Sequence, residues 1–364
     1  MKFKVPESIL SIKPYVPGKP IEEFQREYGI DHPVKLASNE NPFGCSPKAI
    51  EAVQNALGHM NRYPDASSHQ LTRKLAETYG VQPHNIVVGN GSDEIIALLC
   101  HAFLDKGDEA LMPHPTFLMY EICVNTAKGS VVNVPLGGFD INLDGLARRI
   151  GPKTRIVFLT NPFNPTGSVF DRKQMEAFMA KVPDNVMVVV DEAYMEFVTD
   201  PEVYNSLNPA LADPRIVTLR TFSKAYGLAG FRVGYGVVDR EVHDILQRIR
   251  PPFNINALAQ AAACAALDDR QFLEQSVGRT QEELRFLVSS LTDLGLTVLP
   301  SQSNFIMVDV KTDATQVFEE LLPKGVITRS MKSYGFERFL RVNAGTRQEN
   351  QMFLDTLKTH ILSR

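Results

Sequence analysis

The chain has 364 residues, of which 44% are apolar and 22% charged, enough for a full core and for two domains, or one large and one small. Lys and Arg number 38 against 42 Asp and Glu, and a formal charge of −4 excludes a chain built mainly to grip nucleic acid or anionic lipid. No apolar run approaches the ~20 residues of a membrane span, and the N-terminus has no signal-peptide pattern. The four cysteines (Cys45, Cys100, Cys123, Cys264) make neither a CxxC pair nor a zinc spacing, so reduced thiols, no metal and a cytoplasmic location are expected.

The first 35 residues, rich in Pro and Gly at 14–20, read as an arm crossing a surface, with Leu10, Tyr15, Val16 and Phe24 as docking side chains. From 46 to 265 two patterns alternate. Helices are predicted at 47–57, 69–80 (ending on Gly80), 93–104 and 171–182. Apolar runs bounded by turn residues lie at 85–89, 109–113, 131–135, 155–160, 185–190 and 215–221. Continuous apolar, β-branched runs read as strands buried on both faces, and their alternation with helices implies an α/β fold with a mainly parallel sheet. After 265 the pattern changes. A long helix is predicted over 270–294, strands at 296–300, 305–310, 327–331 and 339–345, and helices at 314–322 and 347–362, which together read as a smaller α+β domain. The expected division is 1–45 as arm and start of the small domain, 46–265 as large domain, and 266–364 as small domain.

Ligands of open α/β sheets sit beyond the carboxyl ends of the strands, so the residues just after the apolar runs carry the information. VGNGSDE at 88–94 runs a strand into Gly89 and Gly91, with Ser92 as an expected N-cap and Asp93 behind it. It fits an anion site at a helix start and a plain tight turn equally well; it is neither GxGxxG nor a Walker loop. NPFNPTG at 161–167 makes a stiff loop carrying Asn164, which alone fits an ordinary turn. DEAY at 191–194 places Asp191 at the end of an apolar strand, as a helix cap or as a buried carboxylate awaiting a cation. TFSKAYGLAGFRVGY at 221–235 sets Lys224 among apolar neighbours. Desolvation and nearby positive charge make such an amine a nucleophile for carbonyls, and Arg232 offers an anion a guanidinium fork.

Together, and in this order, the four segments resemble the fold-type I pyridoxal-phosphate aminotransferases. Within that family, KPYVPGKPIEEFQREYG at 13–29, LASNENPFG at 36–44, RYPD at 62–65 and LRVNAGT at 340–346 look most like the histidinol-phosphate aminotransferases. The resemblance implies a large domain with a mainly parallel seven-stranded sheet sandwiched by helices, plus a smaller C-terminal α+β domain. It implies pyridoxal 5'-phosphate as cofactor, a homodimer, and amino transfer between glutamate/2-oxoglutarate and histidinol phosphate/imidazole acetol phosphate.

The resemblance also implies residue roles. Lys224 would carry the cofactor as a Schiff base and move a proton between the substrate Cα and the cofactor. Asp191 would pair with the ring nitrogen, Tyr194 and Asn164 would bond the phenolic oxygen, and Phe117 would stack on the ring. The backbone of Ser92 and Asp93, the Ser223 hydroxyl and Arg232 would hold the phosphate, with Tyr63 reaching in from the neighbouring subunit. Arg341 would take the substrate anion with Arg329 as second candidate, and Tyr15 and Asn39 would line the substrate pocket. Phe163 departs from the small or polar residue expected at its place, and Pro115 and Pro165 are candidates for cis geometry. Other readings of the same set are an aromatic amino-acid aminotransferase, a threonine-phosphate decarboxylase, and a cofactor-binding regulator without turnover. The complete set of Lys224, Asp191, Tyr194, Asn164 and Arg232 argues against the last.

Overall fold

The computed structural model describes residues 3–14, 21–208 and 212–362. Tyr15 and Val16, expected to dock the arm and, for Tyr15, to line the substrate pocket, lie outside the described residues. Phe24 is fully buried against Ala37, Leu322 and Ile327, whereas Leu10 stays half exposed on a four-residue helix too short to cover a face.

Strand β1 (Val34–Lys35) comes first, followed by β2 (Ile86–Gly89), β3 (Glu109–His114), β4 (Ser130–Pro135) and β5 (Thr154–Thr160). Then come β6 (Met187–Asp191), β7 (Ile216–Thr221) and β8 (Gly234–Val237). Strands β2 to β8 form a seven-stranded sheet in the order β2-β8-β7-β6-β5-β3-β4, parallel except for β8, which runs antiparallel to both of its neighbours. The six predicted strands are all present. The period of two explains the sandwich: Ile156, Phe158, Val189 and Leu219 pack under the helices Ser92–Phe103, Leu118–Thr126 and Arg240–Ile249. Their neighbours Val157, Leu159, Val188 and Val190 face the helices Leu143–Arg149 and Arg172–Met179 on the other side. Strand β8 was not foreseen because its Gly-Tyr-Gly-Val sequence has no apolar run. The glycine is needed there: a Cβ on Gly234 would lie 2.5 Å from the Ser92 amide nitrogen.

Local signals set the helix ends. Ser46 accepts from the amides of Lys48 and Ala49 with Pro47 in the first turn, and Asp171 and Gln174 form a capping box. Gly80 stops its helix in the left-handed region, at φ 66°. Ser92 is not the cap expected for it. Gly91, at φ 74°, holds that position and Ser92 is the first helical residue.

In the C-terminal part, β9 (Thr297–Val298), β10 (Phe305–Asp309), β11 (Val326–Ile327), β12 (Arg329–Ser330) and β13 (Phe339–Asn343) complete the chain. An antiparallel sheet of order β12-β13-β10-β9 packs on the helices Arg270–Asp293, Ala314–Leu321 and Arg347–Leu362. The strand predicted at 327–331 is instead two short ones. Val326–Ile327 pairs in parallel with β1, and after Thr328 the chain changes partner to β13. The β1 pairing brings Val34 and Leu36 into the same core as Leu287, Val308 and Phe353. The cis X-Pro bonds are at Pro115, as expected, and at Pro162 rather than Pro165. Phe163, the departing residue, is buried. No helix among the described residues is long and apolar enough to cross a membrane.

Candidate active site

The carboxyl ends of β2, β5, β6 and β7 open onto one cavity, which the segment 37–39 and the β12–β13 pair close from the other side. Lys224 enters it from the loop after β7. That loop is pressed so tightly on the chain at 44–45 that a Cβ on Gly227 would meet the Gly44 carbonyl. The Lys224 amine donates to the Ser38 carbonyl at 3.3 Å. Burial, with the Arg341 guanidinium adding to it, brings the amine down to a pKa of about 8.

Asp191 ends β6 and is 5% exposed. Tyr120 Oη donates to its Oδ2 at 2.8 Å and the Ala193 amide to its Oδ1 at 3.1 Å. Among the described residues it has no ion pair, and burial raises its pKa to about 6 against the pull of those two bonds. A carboxylate bordering the cavity in this state fits a cationic ring nitrogen placed beside it.

The anion end is built by Gly91, the helix start at Ser92–Asp93, Ser223 and Arg232. Arg232 itself is left-handed, φ 55°, and its guanidinium reaches Ser223 Oγ at 3.4 Å and Asp93 Oδ2 at 3.3 Å. A Cβ on Gly91 would come within 2.7 Å of Arg232 Nη2, so glycine is what lets the guanidinium lie against the helix start. The unbonded amides of a first turn, a guanidinium and a serine hydroxyl make a donor set suited to phosphate.

On the opposite wall Asn39, left-handed at φ 54°, donates through Nδ2 to Tyr194 Oη at 2.9 Å. Its own amide donates to Asn343 Oδ1, and its carbonyl accepts from Asn304 Nδ2, so the strained residue is held on both sides of its peptide. Arg341 donates to Asn164 Oδ1 at 2.6 Å and to the Ala37 carbonyl at 3.0 Å. With Oδ1 taken by Arg341, Asn164 keeps its amide nitrogen as the donor for any other partner. Arg329 stands directly opposite Arg341 in the β12–β13 register, and both line the cavity. Like charges at opposed positions repel, and an anion between them relieves the repulsion.

Phe117 also lines the cavity, so every expected site residue within the described residues does so except Tyr63. Tyr63 is 82% exposed and stacks on Phe253 away from the cavity, with ring centroids 4.6 Å apart. The lining residues that were missed include Tyr120, Thr160, Thr221 and Tyr334. Thr160 and Thr221 are the last residues of β5 and β7, and the strand-exit rule could have found them. Tyr120 sits three residues beyond Phe117 on a helix, and no sequence signal marked it.

The chain belongs to the aminotransferase class I and II family, which residues 31–357 match. It is 46% identical over 356 residues to the histidinol-phosphate aminotransferase of Moorella thermoacetica, covering 98% of this chain and 92% of that one. It is 45% identical over 355 residues to histidinol-phosphate aminotransferase 2 of Carboxydothermus hydrogenoformans, covering 97% and 98%. Among solved structures, histidinol-phosphate aminotransferase from Sinorhizobium meliloti in complex with pyridoxal-5'-phosphate superposes with a TM-score of 0.91 at 28% identity, over 99% and 98% of the two chains. Aspartate aminotransferase from Thermus thermophilus shares the fold, with a TM-score of 0.84 at 23% identity over 98% and 99%.

Proposed function

We propose that this chain is a pyridoxal-phosphate-dependent aminotransferase that exchanges an amino group between glutamate/2-oxoglutarate and histidinol phosphate/imidazole acetol phosphate. The observation that carries the reading is the placing of Arg329 opposite Arg341 on the cavity that holds Lys224 and Asp191. Two arginines opposed in strand register on one cavity suit a pocket that must accept the carboxylate of one substrate and the phosphate of the next. The names of the relatives carry histidinol phosphate, one member of that pair.

Bound in this cavity, the cofactor would supply an aldehyde for an amine and a ring that takes up charge as a Cα–H bond breaks. The protein's own residues do the rest. Lys224, its amine brought down to a pKa of about 8 by burial, would hold the aldehyde and, once displaced by the incoming amino donor, would take and return the proton at the substrate Cα. Asp191 would pair with the protonated ring nitrogen. Tyr194 and Asn164 would donate to the phenolic oxygen, and Phe117 would cover a ring face. The backbone amides of Ser92 and Asp93, the Ser223 hydroxyl and Arg232 would hold the phosphate, Arg341 and Arg329 would hold the substrate anion beside Asn39, and Tyr15 keeps the pocket role expected from the sequence.

The active form would be a homodimer with Tyr63 reaching the partner's phosphate. This is supported by the exposure of Ile50, Leu57, Met60, Tyr63 and Phe253, the last two stacked on each other. The reading includes domains at 46–265 and 266–364, with 1–45 joining the second. It also includes a cytoplasmic location, which the four free thiols fit. A paired assay tests the function: histidinol phosphate and phenylalanine are compared as amino donors to 2-oxoglutarate. Turnover of histidinol phosphate is expected to dominate. Efficient turnover of phenylalanine with none of histidinol phosphate would make the chain an aromatic amino-acid aminotransferase.

A further inference from the structure

Among the described residues Asp191 has two protein donors, and only one of them comes from a side chain. That side chain, Tyr120, is fully buried on the helix Leu118–Thr126. Its ring stacks on Phe158 at 4.7 Å and 8°, and meets Phe117 edge to face at 5.6 Å and 89°. Its hydroxyl lies 2.8 Å from Asp191 Oδ2 and 2.9 Å from Thr160 Oγ1. Burial holds the phenol well above its usual pKa, so it keeps its proton. An ionised carboxylate can only accept, which assigns the phenolic proton to Asp191 and leaves Thr160 to donate to the phenolic oxygen. The chain Thr160 to Tyr120 to Asp191 therefore runs in one direction, each bond polarising the next.

Two carboxylates, Asp93 at the helix start and Glu192 next in sequence, work against the charge on Asp191. The Tyr120 hydroxyl and the Ala193 amide work for it, with Tyr120 the stronger. A phenylalanine would supply the same stacking on Phe158. What the hydroxyl adds is the bond it donates to Asp191 and the one it accepts from Thr160.

We propose that Tyr120 is a positioning residue of the reaction: its hydroxyl keeps Asp191 ionised and fixes the carboxylate against the cavity, while its ring ties that carboxylate to Phe117. One side chain thus couples the group meant for the ring nitrogen to the group meant for the ring face. The inference rests on the cofactor reading above.

The test is Tyr120→Phe, measured in the wild-type and Asp191→Asn backgrounds by titration of each folded apoprotein with pyridoxal phosphate and by steady-state kinetics. In the wild-type background the cofactor dissociation constant should rise at least about tenfold, the scale of a hydrogen bond to a charge. There kcat should fall while KM for the amino donor stays within about twofold, since no substrate contact is removed. In the Asp191→Asn background the same change should move cofactor affinity by less than about twofold, because the charged acceptor is gone. Unchanged affinity and kcat in Tyr120→Phe, or equal losses in both backgrounds, would overturn the proposal and leave Tyr120 a packing residue. A wild-type chain that takes up no pyridoxal phosphate overturns the cofactor reading, and this inference with it.

Discussion

Asp191 and Glu192 are neighbours in sequence, both buried, and they live in opposite circumstances. Glu192 points to one side of the sheet, where Arg220 donates to its Oε2 through Nε at 2.9 Å and lies 2.8 Å away through Nη2. The Ser206 amide and hydroxyl take its other oxygen at 2.7 Å each, and Arg220 also pairs with Glu196 at 3.0 Å. Asp191 points to the other side and, among the described residues, has a phenol and an amide but no cation. The first carboxylate is completed by the protein, as a structural ion pair. The second is completed only by something that enters the cavity. Burial alone does not mark a functional acid; a buried acid without its counter-charge, facing a cavity, does.

Four substitutions would break or sharpen this contrast. The largest effect is expected on the cavity side: Lys224→Ala should cut transamination by more than about 10³-fold, since both the cofactor's anchor and the proton carrier are lost. The apoprotein should melt no lower than the wild type, and persistence of turnover or of the visible cofactor band would remove Lys224 from this role.

On the structural side, Arg220→Ala leaves Glu192 and Glu196 buried without their cation. A loss of roughly 3–5 kcal/mol in unfolding free energy is expected by chemical denaturation. A loss under about 1 kcal/mol would mean that water or rearrangement satisfies the pair, and the contrast would fail.

Asp191→Asn should do the reverse of Arg220→Ala, lowering kcat/KM by about a hundredfold while leaving the apoprotein at least as stable. The pH dependence gives the sign. The unfolded carboxyl ionises near 4 and the folded one at about 6, so ionisation is harder in the folded state. Below pH ~4 both states are protonated and the aspartate costs nothing. Between ~4 and ~6 wild-type apoprotein should lose stability relative to the variant, by roughly 3 kcal/mol at the plateau. A difference that is flat with pH would show that Asp191 is not uncompensated.

The smallest of the four effects is Arg341→Ala. KM should rise about tenfold or more for both glutamate and histidinol phosphate, because both lose one anion contact. An unchanged KM for either would take Arg341 out of the shared pocket.

Much of this was legible in the sequence, for physical reasons that also mark the limits. Apolar runs buried on both faces located β2 to β7, and the rule that ligands lie past strand ends led to Asp191, Asn164, Lys224 and the segment 88–94. What stayed hidden depends on contacts between distant segments. The opposition of Arg329 and Arg341 is a matter of strand register. Tyr120 reads as a core aromatic until its hydroxyl is seen 71 residues away at Asp191. Arg220 lies inside the strand expected at 215–221, and only the folded chain sets Glu192 and Glu196 beside it. The expectation of a serine cap at Ser92 failed because Gly91 alone can hold φ 74° against the Arg232 guanidinium.

The central claim is that the amine at position 224 bonds a pyridoxal phosphate held against Asp191. Reduction of the cofactor-loaded enzyme with borohydride, followed by peptide mapping by mass spectrometry, tests it directly. The account predicts a stable phosphopyridoxyl adduct on Lys224. An adduct confined to another lysine, or none on a loaded and active enzyme, would contradict it.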